Sequence, residues 1–141
     1  MDRLVIPDEL LDEMISHARN CLPNEACGML AGFAGRARKI YALENSDASS
    51  VTYVVDPKAQ LMAIRDMNSQ GLDMIAIYHS HPDSPPLPSI TDINRAFFPG
   101  TRDLNYPGVA YVIVGLSGPS PDVRAYRIMS EGVENIEIAR H

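Results

Sequence analysis

The segment His79-Ser80-His81, followed after seven residues by Ser89-Ile90-Thr91-Asp92, concentrates the side chains of this sequence best suited to holding a metal ion. Two histidines separated by one residue at a strand end project to the same side, so both imidazoles can reach one ion. Asp92, in the first turn of a following helix, can close the set. Two neutral imidazoles and a carboxylate suit a divalent ion, at about 2.0–2.2 Å per ligand for zinc, and leave a fourth position open for water. Structural zinc sites usually fill all four places, most often with cysteine, whereas a catalytic site needs the vacancy. Water in that position has its pKa lowered to about 7 and becomes a nucleophile near neutral pH, while the ion can polarise a carbonyl.

Each part of this pattern also has a plainer reading. Two surface histidines near a strand end need bind nothing, and Ser89-x-x-Asp92 reads equally as a helix cap, with Ser89 as N-cap and Asp92 near N3. The capping reading is compatible with a site, because a cap sits at an exposed helix mouth where its hydroxyl could also face a substrate. Two histidines and a carboxylate suit a non-haem iron oxygenase as well as zinc. What separates the two is a general base, which amide hydrolysis needs to move a proton from water to the leaving amine. The other histidines add no ligand: His17 lies on the first helix as a surface or boundary residue, and His141 ends the chain. His79-x-His81-x-Asp83 matches the start of a dinuclear pattern, but such sites need further histidines downstream, so Asp83 reads as a solvated turn residue.

The elements that must position these groups follow from periodicity. Leu11, Ile15, Ala18 and Leu22 recur at three- and four-residue steps from Asp8 to Leu22, predicting an amphipathic helix with Pro7 at its start. Ala26 to Phe33, Arg38 to Leu43 and Val51 to Val55 read as strands, the last two separated by the polar turn Glu44 to Ser50. A second helix is expected over roughly Pro57 to Gln70, capped by Asp56, with Leu61, Ile64 and Asn68 on one face. Met74 to Tyr78 is a continuous apolar run that fits a strand covered on both faces and leads straight into His79. The loop Pro82 to Pro88 holds four of the eleven prolines and cannot join a sheet, and a short third helix starts near Ser89 and ends before Pro99. Val109 to Leu116, Val123 to Met129 and Val133 to Ile138 complete the strands. Helices interspersed with strands, some in hairpin-like succession, predict an α/β fold with a mixed β-sheet flanked by helices, in one domain over residues 1–141.

Composition narrows the partners. Twelve basic against eighteen acidic residues give a formal charge of −6, and Lys39 and Lys58 are the only lysines, so no basic face is offered to nucleic acid or to an anionic membrane. No apolar stretch approaches a membrane span, and the N-terminal Leu4-Val5-Ile6 is too quickly broken by Pro7, Asp8 and Glu9 for a secretory segment. Cys21 and Cys27 lack C-x-x-C spacing and read as small hydrophobes rather than a disulfide or a metal pair. A cytoplasmic protein is the expectation.

The whole pattern, Pro23-Asn24-Glu25-Ala26-Cys27-Gly28 upstream and His79 to Asp92 downstream, resembles the JAMM metalloproteases, also called MPN-plus domains, with no departure in spacing. Asn45, Tyr53-Val54-Val55-Asp56-Pro57 and Tyr111-Val112-Ile113-Val114 extend the likeness over nearly the whole chain. The resemblance implies an MPN fold of cytidine-deaminase-like architecture, one zinc per chain on His79, His81 and Asp92, Glu25 as general base, and Ser89 as hydrogen-bond donor to the oxyanion. Without the match, Glu25 would read as a solvated acid at the start of a strand. Gly28 and Gly32 are expected to serve close backbone packing, and Cys27 to be a buried neighbour of Glu25.

Within that family the wording is most similar to short bacterial and archaeal members associated with ubiquitin-like sulfur carriers. It implies a zinc peptidase or isopeptidase acting at the Gly-Gly tail of such a carrier. A non-catalytic scaffold of the same fold and a small-molecule metal hydrolase or oxygenase stand as alternatives. Phe97 is expected in the core with Ile90 and Ile93, while Phe98 and Tyr106 stay open between core and substrate groove.

Overall fold

The first helix, α1 (Asp8–Asn20), buries Leu11, Met14 and Ala18 along one stripe. The periodicity foresaw Leu11 and Ala18 on this stripe, but Met14 takes the buried place expected of Ile15, which is only half-buried, and Leu22 lies beyond the helix and is 48% exposed. The computed structural model, which describes residues 2–141, sets this helix against a sheet of seven strands. These are β1 (Arg3–Val5), β2 (Cys27–Phe33), β3 (Arg36–Leu43), β4 (Asp73–His81), β5 (Ala110–Gly115), β6 (Asp122–Met129) and β7 (Gly132–Ala139). The other helices are α2 (Pro57–Ser69) and α3 (Ile90–Arg95).

The sheet is mixed, as expected, and closes into a barrel in the order β1-β3-β2-β4-β5-β6-β7. Most neighbours are antiparallel, but β4 and β5 run parallel, and β1 lies parallel to both β3 and β7. Closure rests on β1, whose three residues are too few to show a period in the sequence. Leu4, Leu30, Ala37, Tyr78, Val112, Ala125 and Ile136, one or more from each strand, meet α1 in the main core. No helix among the described residues is long and apolar enough to cross a membrane.

Strand alternation sends the intervening side chains to other layers. In β4, Ala76 and Tyr78 enter the main core while Ile77 joins a second cluster with Ala96, Phe97, Tyr111 and Ile128. His79 and His81 continue the Ile77 face. On β2, Gly28 is needed because a Cβ there would stand 2.4 Å from both the Tyr78 ring and the Tyr41 carbonyl oxygen, and Gly32 because one would stand 1.9 Å from the Arg36 carbonyl oxygen. Both glycines therefore serve packing, as the sequence suggested.

Three local expectations are corrected. Val51 to Val55 is not a strand: it forms only an isolated bridge between Asn45 and Val55. The Asn45 side chain supplies what a ladder would have supplied, donating to the carbonyls of Glu25 (3.1 Å) and Thr52 (3.0 Å) and accepting from the amide of Val54 (3.0 Å). On α2 the buried residues are Ala63 and Met67, packed with Met29 and Ala31, whereas Leu61 is 48% exposed. The stripe that meets Met29 and Ala31 is therefore offset from the more hydrophobic Leu61. Finally, Phe97 is in the core as expected, but its supposed companion Ile90 is 80% exposed.

Candidate metal centre

β4 ends in the two histidines, and the direction of their rings is set by the strands on each side. Cys27 pairs with His79 across the antiparallel β2–β4 ladder. Ser80, fully buried between the histidines, points the other way, and its hydroxyl accepts the Ala26 amide at 2.7 Å. The Ser80 amide in turn donates to the Ala26 carbonyl at 3.0 Å. Continuing this register by two residues places Glu25 opposite His81, on the face that carries both imidazoles.

The proline loop then turns the chain back over the strand end. The Tyr126 hydroxyl donates to the Pro86 carbonyl at 2.5 Å, and Gly115 at the end of β5 leaves room for the Pro86 ring, which a Cβ would meet at 2.7 Å. Ser89 caps α3 as expected. Its hydroxyl accepts the Asp92 amide at 3.0 Å, and the Asp92 carboxylate accepts the Ser89 amide at 2.9 Å, the reciprocal pattern of a capping box. The cap therefore aims Asp92 as well as ending the helix, and both readings of Ser89-x-x-Asp92 are compatible.

Three donor atoms converge. The His79 Nε2 and His81 Nε2 atoms are 3.2 Å apart, and Asp92 Oδ2 lies 3.2 Å from the first and 3.0 Å from the second. Ligands at about 2.0 Å in a tetrahedron are separated by about 3.3 Å, so the spacing is that of a set able to share one zinc-sized ion. All three residues are at least nine-tenths buried. The His81 Nδ1 lies 2.8 Å from the Pro85 carbonyl, which can only accept, so that nitrogen carries a hydrogen and Nε2 is the one turned towards the other donors.

Electrostatics agree with this arrangement. Burial works against the Asp92 carboxylate, but hydrogen bonds from His79, His81 and the Ser89 amide hold it well below the usual carboxylate range. Burial pushes the pKa of His79 down, keeping its imidazole neutral. At His81 burial is outweighed by Asp92 and the Pro85 carbonyl, which raise the pKa. Burial pushes Glu25 up to about 7, opposed by His81 and Arg95 and reinforced by Asp92. The Glu25 Oε1 and His79 Nδ1 atoms are buried without hydrogen-bond partners.

Two side chains at the centre were given no role by the sequence. The Tyr53 ring stacks on His79 with centroids 4.9 Å apart and planes 26° apart, and the Arg95 guanidinium lies 4.7 Å from the Tyr53 centroid. Reading 51–55 as a strand hid Tyr53, although Arg95, three residues after Asp92 on α3, was within sight of the pattern. Tyr106 lines a cavity of about 290 Å³ with Tyr53, Gln60 and Arg95, and its hydroxyl accepts from the Gln60 amide. Phe98 is 53% exposed and lines a separate cavity of about 770 Å³ with Thr91, Arg95 and Arg102. Asp83 is exposed, and His17 is half-buried with its Nδ1 2.7 Å from the Tyr78 hydroxyl, so neither joins the centre.

Fold and site together define an α/β domain with a buried two-histidine, one-carboxylate cluster and an acid beside it. Residues 7–129 match the family described as prokaryotic homologues of the JAB domain, and the chain belongs to that family. A "probable TtuB-protein conjugate cleaving protease" of Thermus thermophilus is 37% identical over 132 residues, covering 93% of this chain and 79% of that protein. A "CysO-cysteine peptidase" of Mycobacterium tuberculosis is 35% identical over 133 residues, covering 92% of this chain and 86% of the other. The solution structure of a Desulfitobacterium hafniense protein, 35% identical, superposes with a TM-score of 0.82 and covers 96% of this chain and 90% of that one.

Proposed function

We propose that this chain, acting as one domain over residues 1–141, is a cytoplasmic zinc peptidase that cleaves the bond at the C-terminal Gly-Gly tail of a ubiquitin-like sulfur carrier. The observation that carries this reading is the convergence of His79 Nε2, His81 Nε2 and Asp92 Oδ2 within 3.2 Å of one another, on the face where Glu25 is buried. These three residues would hold one zinc ion. Bound there, zinc would supply Lewis acidity towards a carbonyl and acidify a water molecule.

The chain's own groups account for the proton and the charge. A carboxyl poised at about 7 can both accept a proton from water and return it to a leaving amine, which suits Glu25 to act as base and then acid. The Ser89 hydroxyl accepts from the Asp92 amide, so its own hydrogen can donate outward to a carbonyl oxygen that is gaining charge. The names of the Thermus and Mycobacterium relatives, a probable TtuB-protein conjugate cleaving protease and a CysO-cysteine peptidase, support a protein conjugate or a cysteine-bearing protein as the substrate. The free Cys21 and Cys27 thiols suit the reducing cytoplasm.

The test is incubation of the zinc-loaded protein with Gly-Gly-ended carriers bearing either a C-terminal cysteine or a lysine-linked partner, read by mass spectrometry. Cleavage of one and not the other assigns the substrate. Glu25→Gln is expected to retain zinc and lose roughly 10²–10⁴-fold in turnover, the usual contribution of a general base. Zinc-loaded protein that cleaves neither conjugate would favour a binding scaffold.

A further inference from the structure

The two histidines are oriented by different means. His81 has its Nδ1 fixed on the Pro85 carbonyl, the arrangement usual for an imidazole that ligates through the other nitrogen. His79 has no such bond: its Nδ1 is buried and unpartnered. Yet its Nε2 must stay aimed at the same point, because rotation of the ring about its bond to Cβ would swing that atom away from His81 and Asp92. The contact suited to resist that rotation is the Tyr53 ring, stacked on it with planes 26° apart.

Tyr53 is itself held from the other ligand-bearing element. The Arg95 guanidinium lies over its ring, and Arg95 Nη2 donates to the hydroxyl of Thr52, the residue before it, at 2.5 Å. Arg95 and Asp92 belong to the same short helix. Asn45 ties the same segment down through the Thr52 carbonyl and the Val54 amide, which flank Tyr53 on either side. A displacement of α3 that moved Asp92 would thus also loosen the ring on which His79 rests.

We propose that Tyr53 is the positioning residue of His79, its ring replacing the missing hydrogen bond at Nδ1, and that Arg95 acts through Tyr53 to couple the aim of His79 to the placement of Asp92. The inference rests on the metal-ligand reading above, and concerns the stacked ring rather than the phenolic hydroxyl. Arg95 lies over Tyr53 and donates to Thr52 rather than to either imidazole. Its contribution should vanish when Tyr53 is gone.

The test measures zinc affinity by chelator competition, with urea unfolding of each metal-free variant alongside it. Loss of an outer partner of a ligating histidine typically weakens metal binding by roughly 10–100-fold, and that loss is expected for Tyr53→Leu. Tyr53→Phe, which keeps the ring, should bind close to wild type and guards against a mere folding defect. Arg95→Met should weaken binding in the wild-type background and add nothing to Tyr53→Leu, the signature of two residues acting as one unit. Wild-type affinity in Tyr53→Leu, or equal losses in Phe and Leu variants, would overturn the proposal while leaving the ligands in place. Failure of the wild-type protein itself to bind zinc would instead overturn the metal reading, and this inference with it.

Discussion

Ser80 and Ala26 are joined by two hydrogen bonds, one through the Ser80 hydroxyl at 2.7 Å and one between the backbones at 3.0 Å, behind the face that carries the candidate centre. Each residue adjoins a group with a proposed role: Ser80 lies between the histidines, and Ala26 follows Glu25. Ser80→Ala would leave the buried Ala26 amide without its side-chain acceptor, which costs about 1–3 kcal/mol. We expect lower stability in urea unfolding together with a fall in turnover, because Glu25 would no longer be held in register with His81. An unchanged unfolding midpoint would show that the amide finds another partner.

Glu25 gives the metal-free protein a definite pH signature. Its folded pKa, about 7, stands above the ordinary glutamate value of 4.5. Below 4.5 the carboxyl is protonated in both folded and unfolded chains and contributes no difference. Between 4.5 and 7 the unfolded chain releases the proton while the folded chain keeps it, so stability falls as pH rises, and above 7 the loss is complete. A shift of this size corresponds to about 3 kcal/mol at most for this group, which is 3% exposed. Metal-free Glu25→Gln should therefore gain on metal-free wild type across that window, as measured by urea unfolding at several pH values. A difference that stays flat with pH would show that burial does not hold the carboxyl neutral.

Zinc should stabilise the fold through the same three residues. A ligand that binds only the native state adds about 2.7 kcal/mol at one hundred times its dissociation constant. Thermal unfolding should therefore move down with a chelator and up again with zinc. Asp92→Ala should abolish the shift and also lose the carboxylate half of the α3 capping box, so its metal-free form should be less stable than metal-free wild type. If Asp92→Ala responded to zinc as wild type does, Asp92 would not be a ligand.

How far the sequence revealed this centre depended on whether the determining interactions were local. The histidine pair, the capping box and the strand leading into His79 are set by spacing over a few residues, and all are found where expected. Glu25 lies 56 positions before His81 in number but two residues beyond the last β2–β4 pair, Cys27 with His79, a relationship that periodicity alone does not supply. The segment around Tyr53 was misread because its β-branched and aromatic residues have strand propensity, while the partner that satisfies its backbone is the Asn45 side chain, invisible to any pattern of apolar residues. Barrel closure through β1 was hidden for a related reason: the pairing is long-range and the strand very short.

Asn45 provides the most searching test of that loop. Its amide nitrogen serves the carbonyls of Glu25, Ser49 and Thr52, and its oxygen accepts the amides of Asp47 and Val54. The Glu25 amide also donates to the Ser49 carbonyl at 2.7 Å, so the loop and the start of β2 are fastened to each other twice. Asn45→Asp keeps the acceptor but removes the donor and places a carboxylate among three carbonyl oxygens. Asn45→Ala removes both functions without adding charge. We expect each to destabilise the fold, by about 1–3 kcal/mol for Asn45→Ala as the groups it leaves are part-buried, with Asn45→Asp worse above the carboxyl's pKa and recovering as acid protonates it. Both variants should also weaken zinc binding, because the loop carries Tyr53. Hydrogen exchange would localise the effect: faster exchange at the Val54 and Glu25 amides, with the β5–β6 ladder unchanged, is the expected result. Uniform acceleration over the whole barrel would mean that Asn45 supports global stability rather than this loop.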